Sequence, residues 1–212
     1  MLEHTFIYNP KDIENKSFEI IAELLKGRSI NPLHLPILQR VIHTTADLEY
    51  INILKISKDA VENGINALQK GCNIVTDTKM AEAGTNKKLL STLNCKVTCF
   101  IRDEEVAKEA QKRGITRSAI SMEYASQNPE NKIYVVGNAP TALLKLYELA
   151  KKGLVKPDLV IGVPVGFVNV EESKELFKTS GIPYIMSEGR KGGSNVAAAI
   201  VNALLTMAMQ NT

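Results

Sequence analysis

The sequence predicts an α/β fold of three layers, with a doubly wound, mainly parallel sheet between helices and extra helices at the N-terminus. Three observations carry that expectation. Short apolar runs alternate with helical patterns from about residue 51 onward, the signature of βαβ units in which helices cover both faces of a sheet. The carboxyl ends of several runs open into loops rich in Gly, Pro and polar residues. No internal repeat, low-complexity segment or linker interrupts the 212 residues, so a single domain over 1–212 is the economical reading.

In chain order, residues 1 to 8 form a short, partly apolar arm, and Asn9-Pro10 punctuates it. Asp12 to Lys26 reads as an amphipathic helix with Ile13, Ile20, Ile21, Leu24 and Leu25 apolar, stopped by Gly27. Ser17 falls on its polar side. Asn31-Pro32 turns the chain into a second helix, which carries QRVIHTTADLEY at 39–50. Ile51 to Ile56 is the first strand candidate and Lys58 to Lys70 a helix. Asn73 to Thr76 is a short strand leading to Asp77-Thr78-Lys79, followed by two helical pieces split at Gly84. Strands are expected at Lys96 to Ile101, Lys132 to Val136, Asp158 to Ile161 and Pro183 to Met186. Helices are expected at Asp103 to Arg113, from Thr116 to Ala125, from Pro140, up to Ser180, and from Ser194 to Met209. Pro140 suits a first helical position, where its missing N–H is harmless. The plan is flavodoxin-like, and in such sheets ligands sit in the crevice at the carboxyl ends of the strands. The loops there are TDTK (76–79), GNAPT (137–141), GVPVGF (162–167) and SEGRKGGS (187–194).

Composition excludes several function classes. A net charge of +3, no Trp and few aromatic residues make a poor nucleic-acid binder, which needs a basic patch with stacking platforms. Three cysteines (Cys72, Cys95 and Cys99) without paired spacing argue against a disulfide framework or a zinc site and for a reducing compartment. Cys99 reads as a buried small hydrophobe. The start MLEHTFIYNPKDIENK has no apolar signal core, and no run approaches the ~18–20 residues of a membrane span. A cytoplasmic location without membrane contact is expected.

Chemistry concentrates in the second helix. Arg40, His43 and Asp47 are spaced three and four apart, which on a continuous helix sets them on one face, with Leu35, Leu38 and Ile42 on the neighbouring apolar stripe. A lone helical histidine is more often structural, and composition alone favours that for His43. GRKGGS (189–194) is an anion site or a plain turn before a helix with about equal weight. Its spacing is neither a P-loop nor a dinucleotide fingerprint. Arg190 would suit a carboxylate. Thr78 and Thr116 stand where caps stand. The histidines are scattered, so no metal site is expected, and no Ser or Cys occupies a nucleophile elbow.

Six segments taken together resemble one family. VIHTTADLEY (41–50), VTDTKMAEAG (75–84), TRSAISME (116–123), VVGNAPTALLKL (135–146), LVIGVPVGFVNVEESKELF (159–177) and GRKGGSNVAAAIVNALL (189–205) look like the precorrin-8X methylmutases, the precorrin isomerases of cobalamin biosynthesis. The resemblance runs in register over essentially the whole chain, departing mainly in TDTKMAEAGT, where Lys79, Glu82 and Thr85 stand.

It implies an isomerase that moves a methyl group from ring carbon 11 to ring carbon 12 of (cobalt-)precorrin-8, yielding hydrogenobyrinic or cobyrinic acid with no cofactor. The family's proton donor and acceptor matches His43, and imidazole, with an ordinary pKa of ~6.5, suits a proton lent and recovered near neutral pH. Ser17 and Arg40 match substrate-binding positions. Thr85, Thr116, Arg117, Ser118, Arg190 and Lys191 are further candidates to meet a polycarboxylate macrocycle, and Gly162 and Gly166 let backbone N–H groups approach it. Asp47 would be an orienting partner of His43. The family is homodimeric, so a homodimer is expected. A non-catalytic corrinoid-binding carrier with the same pocket is the alternative.

Overall fold

The structure, a computed structural model, describes residues 6–210. The first helices are α1 (Pro10–Leu24), α2 (Leu35–Thr45) and α3 (Tyr50–Ile53), followed by β1 (Leu54–Ile56), α4 (Ala60–Gln69) and β2 (Asn73–Thr76). The middle of the chain forms α5 (Lys79–Gly84), α6 (Lys87–Thr92), β3 (Lys96–Thr98), α7 (Glu104–Arg113), α8 (Arg117–Ser126) and β4 (Asn131–Val136). It closes with α9 (Pro140–Lys151), β5 (Leu159–Gly162), α10 (Val170–Lys178), β6 (Tyr184–Ser187) and α11 (Ser194–Gln210). The strand expected from Ile51 divides, since a helical turn takes 50–53 and only 54–56 pair. The arm's Phe6, Ile7 and Tyr8 are exposed and irregular, and its residues 1–5 lie outside the described residues.

The six strands are ordered β1-β6-β5-β4-β2-β3. All neighbours are parallel except β1, which pairs antiparallel with β6 as an edge. Alternation along the strands builds two cores, because successive side chains point to opposite faces. Ile74, Ile133, Val135, Leu159, Ile161 and Ile185 face α2, α4 and the small-residue helix α11. Val75, Tyr134, Val136, Val160 and Met186 face α8, α9 and α10. The expected three layers are therefore present.

After β2 the chain adds β3 on one side and then returns to place β4 on the other, so the winding reverses between β2 and β4. Hydrogen bonds within the protein span that point. Asp77, 1 % exposed, accepts hydrogen bonds from the backbone N–H groups of Gly137 (2.8 Å), Asn138 (2.9 Å) and Ala139 (2.7 Å). Burial pushes its carboxyl pKa up, and the three donors pull it back. The crevice at the strand ends, where the sequence led us to expect the ligand, thus holds an internal carboxylate at the start of α9. Thr78 caps α5 through Ala81 N and hydrogen-bonds Ser194 Oγ at 2.7 Å, tying this loop to α11.

Candidate active site

The candidate site lies one layer out, where α1 and α2 meet α11. Ile37, Leu38, Val41 and Ile42 are buried and seat α2 on the core, leaving Arg40, His43 and Thr44 on the side turned toward α11. Along α11 a groove of about 430 Å³ runs from Asn195 to Thr206, roughly 16 Å of helix. Its other walls are Glu14, Gly84, Asn86 and Leu89. The two Asn side chains differ in what they do there. Asn202 is committed, accepting from Asn86 N at 2.8 Å and donating to Gly84 O at 2.9 Å, so it fixes the α5–α6 turn. Asn195 is exposed and its amide hydrogen-bonds to no protein group among the described residues.

His43 is the wall between this groove and a second, apolar hollow of about 310 Å³. Ser17, Ile20, Ile21, Leu24, Ile42, Ala46 and Leu48 line that hollow. Phe18 lies over the imidazole with ring centroids 5.3 Å apart and planes 19° from parallel. Among the described residues no protein group hydrogen-bonds either imidazole nitrogen, so the ring is held by stacking and packing. The Arg40 guanidinium sits 4.8 Å above the Phe18 ring and pairs with Glu14 at 2.7 Å. Glu14, Phe18 and Ile21 of α1, with Leu25 at its C-cap, thus form one helical row toward α2. Ser17 points into the apolar hollow, its hydroxyl donating to Ile13 O at 2.9 Å, which corrects its expected outward-facing side.

The expected row Arg40–His43–Asp47 does not form. Helix α2 ends at Thr45, and Ala46 turns left-handed at φ 53°, carrying Asp47 off the helix. Asp47 instead pairs with Lys191 at 2.6 Å and accepts from Glu49 N. The Lys191 contact holds its carboxyl below the usual range, and Asp47 with Glu49 raises the Lys191 ammonium in turn. Arg190 pairs with Glu171 at 3.0 Å and lies over the exposed ring of Phe167. Both cations are solvent-exposed, so these pairs are weak and exchangeable.

The remaining candidates disperse for definite reasons. Thr85 is 2 % exposed and its hydroxyl is spent on Ala81 O. Gly162 is buried under Met186 and Leu143, whose atoms stand 2.8 and 3.3 Å from where a Cβ would sit, so it serves packing rather than ligand approach. Gly166, at φ 141°, donates its N–H to Arg190 O and belongs to the loop framework. Thr116 caps α8 and hydrogen-bonds Thr141 Oγ1. It lies with Arg117 and Ser118 in the other helical layer, where Arg117 borders a separate hollow against α7. Sequence reasoning missed Glu14, Phe18, Thr44 and Asn195. The spacing of 14, 18, 21 and 25 was the available signal for the first two.

Among the described residues, no helix is long and apolar enough to cross a membrane. Cys72, Cys95 and Cys99 are free and buried.

Comparison with known proteins points one way. The profile of the precorrin-8X methylmutases matches residues 12–207. A cobalt-precorrin-8 methylmutase of Salmonella typhimurium is 48% identical over 94% of this chain and 96% of its own. A precorrin-8X methylmutase of Pseudomonas aeruginosa is 40% identical over 79% of this chain and 81% of its own. The solved structure of a precorrin-8X methylmutase from Thermus thermophilus superposes with a TM-score of 0.87 at 37% identity, covering 94% of this chain and 98% of that one.

Proposed function

The chain belongs to the precorrin-8X methylmutase family, and on that footing we propose that it is an isomerase of cobalamin biosynthesis. In this reading it moves a methyl group from ring carbon 11 to ring carbon 12 of (cobalt-)precorrin-8. The migration is internal to the substrate: one carbon–carbon bond breaks, one forms, and no group is gained or lost. His43 lends a proton to the ring C nitrogen, drawing electron density away from the migrating centre, and takes it back afterwards. The product is cobyrinic acid, or hydrogenobyrinic acid when the ring is metal-free.

The observation that carries the reading is the position of His43. Its imidazole stands between a polar groove and an apolar hollow, with both nitrogens unclaimed by the described residues. A flat macrocycle with an acidic fringe calls for that division, apolar contact for the ring and polar contact for its rim. Arg40 is the substrate's first carboxylate partner, and Ser17 borders the ring's apolar side. Arg190 and Lys191 add exchangeable positive charge at the carboxyl edge of the sheet. The relative at 48% identity carries the cobalt form in its name, which makes cobalt-precorrin-8 the first substrate to try.

The reading includes a cytoplasmic homodimer and a flavodoxin-like winding. Val165, Phe167, Val168 and Met80 stand exposed at the same edge of the sheet, apolar surface that a second copy would cover. The order β3-β2-β4-β5-β6 of the parallel strands supports the winding, with β1 added at the edge.

Incubation of the protein and of His43→Ala with cobalt-precorrin-8 and with precorrin-8X, read by absorbance, tests the activity. We expect turnover by the wild type and a loss of about 10²–10⁴-fold in kcat for His43→Ala, the usual worth of a general acid–base group, with binding retained. Full turnover by His43→Ala would end the proton-transfer role. Binding without turnover by the wild type would leave a carrier.

A further inference from the structure

The least expected residue in the fold is Lys174 on α10. Its side chain is fully buried, yet it forms no ion pair with a carboxylate among the described residues. Its ammonium donates to Ser187 Oγ at 3.1 Å, Gly189 O at 2.7 Å and Lys191 O at 3.0 Å. Three donors thus meet three neutral acceptors, one at the end of β6 and two in the segment that leads from it to α11. Ser187 Oγ also donates to Lys191 O at 2.6 Å. Burial pushes the ammonium down to about 8, so a proton is held here against the desolvation of the charge. An apolar side chain of similar shape would avoid that cost.

The same segment is gripped from its other side. Gly166 N donates to Arg190 O at 3.2 Å, and Gly193 N donates to Val163 O at 2.9 Å. A Cβ on Gly192 would fall 2.1 Å from Val163 O. The carbonyls of three successive residues, 189, 190 and 191, are therefore each pinned, two by Lys174 and one by the 163–166 loop. With the backbone fixed, the side chains that leave the segment are Arg190 and Lys191, both exposed.

We propose that Lys174 is a positioning residue for substrate binding: its buried ammonium fixes the backbone of 189–191 so that Arg190 and Lys191 are held out for the acidic rim of the substrate. This rests on the methylmutase reading of the site. A loop ordered in advance spares the substrate the entropy of ordering it, which appears in binding rather than in chemistry.

The test is Lys174→Met, which keeps the length of the side chain and removes its donors. Two readouts are needed. Hydrogen exchange of amides 188–193 without substrate reports the loop, and steady-state kinetics with cobalt-precorrin-8 reports its use. The expected result is exchange faster by about tenfold or more, KM raised by about tenfold, and kcat within about threefold of wild type. His43→Ala, which should lower kcat and spare binding, is the contrasting control. Ser187→Ala removes one of the three acceptors and should move both readouts the same way by a smaller factor. If Lys174→Met does not fold, the same two readouts on Ser187→Ala decide between the outcomes. Unchanged exchange overturns the positioning role, and faster exchange with unchanged KM overturns its link to the substrate. A wild type that turns over neither substrate removes the functional reading and this proposal together, an outcome visible before any variant is made.

Discussion

Replacing Asp77 tests how the sheet edge is held. Among the described residues its carboxylate is the only acceptor for the N–H groups of Gly137, Asn138 and Ala139, at 2.7–2.9 Å. Hydrogen bonds to a charged group contribute ~1.5–3 kcal/mol each, and a buried donor left without a partner costs ~1–3 kcal/mol. The sum is not simply three such values. Burial already raises the Asp77 pKa, so part of the gain goes to desolvation, and Asn138 and Ala139 lie near enough to solvent for water to replace the lost acceptor. Only Gly137 is fully enclosed. We therefore expect Asp77→Ala to cost about 2–4 kcal/mol, which for a chain of this size is roughly 5–15 °C in Tm. Asp77→Asn is the sharper variant. Both carboxylate oxygens already accept, so the amide must turn its NH₂ toward an N–H group, and a loss of about 1–3 kcal/mol is expected. Urea unfolding followed by circular dichroism, with calorimetry for Tm, measures both. An Asp77→Asn protein that unfolds at the wild-type midpoint would refute the argument that both oxygens are needed as acceptors.

On the proposed role of Arg40 as a carboxylate partner, Glu14→Gln should tighten substrate binding, because the Glu14 carboxylate already pairs with Arg40. A half-exposed pair of this kind is worth ~0.2–1 kcal/mol, so KM should fall by about 1.5–5-fold, and a raised KM would count against that exchange. Gly192→Ala should destabilise by more than about 3 kcal/mol or prevent folding, since the new methyl group meets backbone rather than a movable side chain; a soluble protein with wild-type Tm would contradict it. Lys174 predicts a pH dependence. Its folded pKa of about 8 lies below the ordinary 10.5, so between those values the unfolded chain binds more protons and stability rises with pH, by about 3 kcal/mol in all. Urea midpoints between pH 7.5 and about 10 should show that rise in the wild type relative to Lys174→Met, and parallel curves would remove the assignment.

The legible part of this protein was what depends on neighbours in the chain. Short apolar runs between helical patterns marked the strands. Asn9-Pro10, Gly27, Gly84 and Thr116 marked helix ends, because caps and left-handed turns are set by local backbone and side-chain groups. The order of the strands was not legible, nor was the antiparallel edge β1, since pairing is decided by which surfaces meet. The same limit applies within the site. His43 and Arg40 could be singled out from the second helix, and family resemblance assigned them chemistry, but their partners Glu14 and Phe18 come from another helix.

Asp47 and Lys174 show the two sides of that limit. Helical spacing placed Asp47 beside His43, and a single left-handed residue, Ala46, moved it to Lys191. Spacing of 170, 173, 174 and 177 puts Lys174 on the buried face of α10, yet its charged sequence context, EESKE, reads as surface. Local pattern was enough to mark most helices and strands and to single out His43 as a candidate, because such patterns are set by neighbours in the chain. Which polar groups pair with each other, as Asp47 does with Lys191 and Arg40 with Glu14, depends instead on surfaces brought together from distant parts of the chain, which no local pattern records.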